Sequence, residues 1–80
     1  MRVIIKGKTY KANKEDVEKK LKGIQPELDE KFKYFVEIEG KQFPIKQIVS
    51  KSLGLLKPAF NTQEAFAILQ RLGFKIVKRN

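Results

Sequence analysis

A glutamate followed two residues later by a lysine, at Glu39 and Lys41, has the E-x-K spacing of metal-dependent nuclease centres. In such a centre the carboxylate holds a divalent cation beside the lysine, and an acid from upstream in the chain completes the cation site. Glu27 is the only candidate for that acid. Because Glu-Gly-Lys is equally the sequence of a tight hairpin turn, we predict a turn here. We expect no catalytic site, and therefore no enzyme.

The composition removes several other kinds of chemistry. The chain has 80 residues with no cysteine and no histidine. Disulfides, thiolate zinc sites and thiol nucleophiles are thereby excluded, and the commonest metal ligand and general base is missing. The sequence also lacks a phosphate-cradling glycine loop and a nucleophile elbow. We expect neither a cofactor nor a metal ion.

The distribution of charge is more informative than the net charge of +9. Residues 1–39 contain ten basic and eight acidic groups, a net of +2. Residues 40–80 contain eight basic groups and one acidic residue, Glu64, a net of +7. Such a one-sided excess is typical of a protein that binds a polyanion. The sequence therefore favours nucleic-acid binding, with duplex DNA as the preferred ligand.

Candidate contacts for that ligand lie on the segment that is poor in acid. A lysine in the first turn of a helix opposes the helix dipole, and Lys46 is predicted there without a compensating acid. Backbone N–H groups at helix starts also suit phosphate binding. The candidate nucleic-acid-binding residues are Lys41, Lys46, Gln47, Lys51, Lys57, Thr62, Gln63, Arg71 and Lys75.

A second interpretation of the same charge remains open. Fifteen of the eighteen basic residues are lysine. Lysine is a mobile point charge, whereas arginine supplies the planar fork that reads guanine, so base-specific recognition is not indicated. The alternative is a protein-interaction or assembly module, with a protein partner and lysines that only keep it in solution.

The elements that would position these residues form one domain over residues 1–80. Two short β-rich runs surround Gly7 and two surround Gly40, which predicts two hairpins. Apolar positions at helical spacing predict helices over 14–22, 45–53 and 62–72, and a final strand follows over 74–78. The predicted fold is therefore α+β in the order ββαββααβ, an antiparallel sheet packed against three helices. A short polar connector is predicted at 23–31.

Details of the pattern place individual side chains. Asn13, and either Asn61 or Thr62, are predicted helix caps. The exposed face of the second helix is expected to present Lys46, Gln47, Ser50 and Lys51. Most aromatic residues occupy core positions, with Tyr10 and Phe35 as the expected exceptions. The second and third helices could also form a distorted helix-turn-helix, although their connection exceeds the usual turn of about 3–4 residues.

A resemblance to a known family rests on two groups of residues. The first group is the run Tyr34-x-Val36-x-Ile38-x-Gly40-Lys41-x-Phe43-Pro44-x-Lys46. The second group comprises Phe60, Ala65, Leu69 and Leu72-Gly73-Phe74. Together they resemble the small N-terminal head domain of McrA-like HNH restriction endonucleases, prokaryotic defence proteins that cut modified DNA. The similarity covers about half of the chain.

That resemblance implies an accessory or DNA-contacting role for Lys41 and Lys46. It does not imply nuclease activity, because a chain without histidine has no HNH motif. No apolar run reaches the roughly 18 residues of a membrane span, and the charged N-terminus is unlike a signal peptide. We expect a cytoplasmic protein that does not bind membranes.

Overall fold

The computed structural model describes residues 2–27 and 31–79. The centre of the predicted connector, residues 28–30, lies outside the described residues. The longest described helix has ten residues, and no described helix is long and apolar enough to cross a membrane. In chain order the elements are β1 (Arg2–Ile5), β2 (Lys8–Lys11), α1 (Lys14–Leu21), β3 (Tyr34–Ile38), β4 (Lys41–Pro44), α2 (Ile45–Leu53), a 3₁₀ turn (Lys57–Ala59), α3 (Thr62–Arg71) and β5 (Val77–Lys78).

The predicted α+β class and the order ββαββααβ are confirmed, but the described strands form two sheets rather than one. Strands β1 and β2 make a separate antiparallel pair. The second sheet has the order β4-β3-β5, with β3 antiparallel to both neighbours. Strand β3 is therefore the central strand of the larger sheet.

The two hairpins turn in the same way. Lys6 and Gly7 have φ of 49° and 82°, and Glu39 and Gly40 have φ of 51° and 79°. Two successive positive φ values define the type I′ turn, whose twist matches that of the strands it joins. The predicted turn at Glu39-Gly40 is confirmed, and shared turn chemistry explains why the two hairpins have similar sequences.

Helix α2 lies at the centre of the core. It contacts α1, α3, β3, β4 and the 3₁₀ turn. Ile45, Ile48 and Val49 are at most 2% exposed, as the apolar spacing predicts. Burial of these side chains from several sides is the main source of stability that so short a helix can have.

Both predicted helix caps are present. Asn13 accepts a hydrogen bond from the Asp16 N–H at the start of α1. Asn61, rather than Thr62, caps α3 in a capping box with Glu64, in which each side chain accepts the other's backbone N–H. Helices α1 and α3 each end one residue earlier than predicted.

The last strand is shorter than predicted, since only Val77–Lys78 pairs with β3. Phe74 is buried in the core instead, directly after the turn at Gly73, whose φ is 96°. The predicted start of this strand at residue 74 is wrong. The alternation of apolar and polar residues along 74–78 reflects packing of Phe74 and Ile76 against the core, not hydrogen bonding to a neighbouring strand.

Replacing Gly40 by alanine should destabilise the fold through backbone strain alone. A Cβ at Gly40 would meet nothing within 4 Å, but φ there is 79°. We expect Gly40→Ala to lower the free energy of unfolding by about 1–2 kcal/mol, measured by urea denaturation. Gly40→Asn is the control and should lose less, because asparagine tolerates this conformation better. Equal stability of Gly40→Ala and the parent chain would contradict the turn assignment.

Candidate functional site

A groove lies between the start of β3 and the first turns of α2 and α3. One part has a volume of about 300 Å³ and a neighbouring part about 240 Å³. Tyr34 and Thr62 line both parts, so the two parts adjoin each other. We call the two parts together the Tyr34 groove. It is lined by the cations Lys31, Lys33 and Lys46, the rings Phe32, Tyr34 and Phe66, the polar residues Thr62 and Gln63, and Pro44 and Ile45.

The rings of the groove belong to the edge of the core. Tyr34 opens β3, and Phe66 lies one turn into α3. Their ring centroids are 5.3 Å apart and the ring planes meet at 80°, the edge-to-face arrangement that aromatic quadrupoles favour. Both rings are partly buried against the core. The groove is therefore lined by aromatic surface that the fold holds in place.

The electrostatics of the groove favour an anion. The described residues that line it include three lysines and no acid. Helix α2 follows Pro44, which provides no side-chain cap, and it has no acid in its first turn. In α3 the Asn61 side chain satisfies the third N–H, while the N–H groups of the first two positions, Thr62 and Gln63, have no acceptor within the helix. The positive end of α2 thus lies at the groove without a neutralising acid, whereas Glu64 in the first turn of α3 offsets part of the dipole there.

Lys46 has a structural partner that its sequence position did not reveal. Its ammonium group lies 5.2 Å from the centroid of the Phe60 ring. A ring face attracts a cation by about 0.5–1 kcal/mol at an exposed site, which offsets the unfavourable dipole at the helix start. The prediction that no acid compensates Lys46 in the first turn of α2 is confirmed, and the ring of the buried Phe60 partly offsets the unfavourable dipole instead. Lys46 nevertheless lines the groove.

The predicted exposure of Gln47 is wrong. Its side chain is 2% exposed. Nε2 donates to the carbonyl oxygen of Gln25 and Oε1 accepts from the N–H of Glu27, both at 2.8 Å. Residues 25–27 cover this side of α2, where buried backbone groups need hydrogen-bond partners, and the Gln47 amide supplies two of them. Gln47 joins the segment 25–27 to α2 and does not face a ligand.

The other candidate residues are distributed over separate parts of the surface. Thr62 and Gln63 lie in the groove with Lys46. Lys57 forms an ion pair with Glu27. Lys51 follows Lys46 by five residues, or about 140° around the helix. Arg71, at the far end of α3, lies about 14 Å along the axis from Thr62.

Lys41 and Lys75 do not line the groove either. Lys41 is at the opposite end of β4 from Pro44 and pairs with Ile38. Lys75 is exposed in the segment between α3 and β5. The structure thus brings together three of the nine candidates, Lys46, Thr62 and Gln63. The other candidates do not line this groove.

Sequence reasoning missed Lys31, Lys33 and the partial exposure of the rings of Tyr34 and Phe66. The lysines precede Tyr34 in the half of the chain whose acidic and basic residues nearly balance. A net charge counted over that half therefore does not reveal a local excess of lysine. The two rings share the periodicity of the core, and only their place at its edge exposes them. An aromatic residue at the first position of a strand, preceded by lysines, was the available signal.

Phe35, an expected exposed ring, is 5% exposed. The guanidinium carbon of Arg79 lies 4.6 Å from its ring centroid, and the same guanidinium donates to the Gln42 amide oxygen. The Arg79 backbone N–H donates to the carbonyl of Lys33. Arg79, the residue after β5, thus covers Phe35 on the outer face of the larger sheet.

The acids of the considered nuclease centre occupy different surroundings. The Glu27 carboxylate is paired with Lys57, whereas Glu39 lines a cavity with Glu15 and Glu18 of α1. Among residues 2–27 and 31–79, no group of three or more acidic side chains could hold a metal ion.

The fold and groove define a small α+β domain with a cationic, aromatic surface groove. The chain belongs to the SCO5918-like family, whose sequence model matches residues 1–80. Comparisons with curated proteins and with solved structures found no match. The family match does not link the chain to the McrA-like head domains, and that resemblance stays a prediction.

The assignment of Gln47 as a structural residue can be tested by stability. Gln47→Ala leaves the Gln25 carbonyl and the Glu27 N–H without the partner each has. We expect a loss of about 2–3 kcal/mol in the free energy of unfolding, measured by urea denaturation. Gln70→Ala, at an exposed position of α3, is the matched control and should change stability by less than about 0.5 kcal/mol. A similarly small change for Gln47→Ala would contradict the assignment.

Proposed function

We propose that the protein is a non-catalytic nucleic-acid-binding module that holds phosphates at the Tyr34 groove. The observation that carries this proposal is the convergence of Lys33, Lys46 and the start of α3 on one groove whose described lining contains no acid. Phosphate oxygens accept hydrogen bonds from lysine ammonium groups and from free N–H groups at a helix start. The net charge of +9 adds a long-range attraction to any polyanion.

The lysine-rich composition fits this mode of binding. A lysine ammonium contacts phosphate as a point charge and does not read base edges as arginine does. Contacts of this kind position a nucleic acid without selecting its sequence. The proposal therefore concerns the backbone of the ligand, and an accessory DNA-contacting role in the cytoplasm, of the kind that the McrA-like resemblance implies, is one setting for it.

A protein-interaction module is the competing proposal. The surface feature that favours it is the exposure of Leu56, at 79%, in the loop before the 3₁₀ turn, and of Ile4, at 69%, on the first hairpin. Exposed apolar side chains of this size are common at protein interfaces, but single ones also occur on ordinary surfaces. The two proposals differ in the residues whose replacement should matter.

Reversing two charges at the groove should weaken nucleic-acid binding. We expect Lys33→Glu combined with Lys46→Glu to reduce affinity for a short DNA duplex at least about 10-fold, and to reduce the slope of log K against log salt by about 1 for each phosphate that the protein no longer binds. Fluorescence anisotropy over a salt series measures both quantities. A glutamate at position 46 also suits a helix start, so the variant should remain folded.

The matched control is Lys19→Glu combined with Lys22→Glu. Both lysines belong to the end of α1 and line a different cavity, and the change in net charge is the same. This control should alter affinity by less than about 3-fold, since only long-range attraction is reduced. Equal losses of affinity in the two double variants would show that only the net charge matters, and would contradict a site at the groove. Binding that is insensitive to salt would overturn the proposal.

A further inference from the structure

The Tyr34 groove carries more structure than phosphate binding requires. Phosphates need cations and N–H groups at an accessible surface. The groove also contains the rings of Phe32, Tyr34 and Phe66, and the apolar side chains of Pro44 and Ile45. Apolar surface gains nothing from contact with a charged backbone, so a ligand that contacts both kinds of surface must have an apolar or aromatic part as well as an anionic part.

We propose that the Tyr34 groove binds an unpaired nucleotide, with the base against the rings of Tyr34 and Phe66 and the phosphate at Lys33 and Lys46. This inference rests on the proposed function and assigns the form of its ligand. A single strand presents base faces and phosphates together, and bases stack on aromatic side chains whatever their sequence. In a duplex the bases stack on each other, and mainly sugars and phosphates would meet the groove.

The geometry of the rings fits a stacking surface. Tyr34 and Phe66 meet edge to face at 80°, so the pair leaves ring faces that neither residue covers. Both rings are partly buried against the core, which fixes their orientation before a ligand arrives and lowers the entropy lost on binding. The part that Tyr34 and Phe66 line has a volume of about 240 Å³, and the adjoining part beside Lys46 has about 300 Å³, which is at the lower end of the range of small-molecule sites.

The charge at the groove selects a nucleotide over a neutral apolar occupant. Lys33 and Lys46 line the same part of the groove as Tyr34, and Thr62 and Gln63 at the start of α3 line the part that holds Phe66. Thr62 also lines the part that holds the lysines, so Lys33, Lys46 and the start of α3 adjoin the same groove as the rings. A chain of nucleotides in the groove would therefore meet lysine ammonium groups and the first N–H groups of α3.

The decisive experiment compares ligands that differ in the presence of bases, in strandedness or in the sugar. Anisotropy titrations of the full chain would use a labelled dT10 strand, an abasic strand with the same number of phosphates, a blunt duplex of the same length, and a U10 RNA strand. We expect dT10 to bind at least about 5-fold more tightly than the abasic strand, the lower limit for stacking one base on a ring. The RNA strand shows whether the groove accepts a ribose.

Two variants locate the base. Phe66→Leu, and independently Tyr34→Leu, should reduce the advantage of dT10 over the abasic strand to less than about 2-fold while the abasic strand binds as before. Tyr10→Leu is the matched control, since Tyr10 is a partly buried ring that lines a separate cavity with Ile5 and Leu55. It should leave the advantage unchanged. Far-UV circular dichroism confirms that each variant is folded.

The possible results separate this inference from the proposed function. Equal affinities for dT10 and the abasic strand, both falling with salt, would overturn the base site and leave phosphate binding standing. No salt-dependent binding to any of the four ligands would overturn the proposed function, and the inference with it. Tighter binding of an acidic peptide such as polyglutamate than of dT10 would also overturn the inference, and would assign the groove to a protein.

Discussion

The burial of α2 is the constraint on which the rest of the structure depends. Eighty residues leave room for a single core, and a nine-residue helix at its centre needs neighbours on most of its sides. Helices α1 and α3, the larger sheet and the 3₁₀ turn supply them. Residues 25–27 complete the cover, and this is possible because Gln47 satisfies two of their backbone groups. Without that amide, the segment would bring unpaired polar groups against a buried helix.

The two ends of this enclosed helix are satisfied to different degrees. At the C-terminal end, Gly54 in the left-handed conformation donates to Ser50, and the Lys20 ammonium donates to the carbonyl of Ser52 at 2.9 Å. At the N-terminal end, Pro44 provides no side-chain cap. This end lies at the Tyr34 groove. The first backbone N–H groups of α2, which have no side-chain cap, are therefore at the same surface as Lys33 and Lys46. The fold itself thus produces the positive groove.

The sequence predicted local features well because each has a local physical cause. Positive φ at Gly40, the cap at Asn61 and the apolar spacing of Ile45, Ile48 and Val49 depend on neighbours within a few residues. The exposure of Gln47 and Phe35 was wrongly predicted because their surroundings come from distant segments, residues 25–27 and Arg79. The contact of Lys46 with Phe60 was not predicted for the same reason. The separation of the strands into two sheets likewise depends on long-range pairing. Of the candidate site, only Lys46, Thr62 and Gln63, at predicted helix starts, were brought together.

Charge along a chain and charge on a surface are different quantities in this protein. The excess in residues 40–80 is spread over α2, α3 and β4 in positions that do not meet, and Lys57 is neutralised by Glu27 from the other half. The groove instead combines Lys46 with Lys33, which belongs to the balanced half of the sequence. Lysines placed in this way attract any phosphate backbone alike. Under the proposed function, discrimination between ligands would therefore depend on the rings, whose partial exposure follows from the fold.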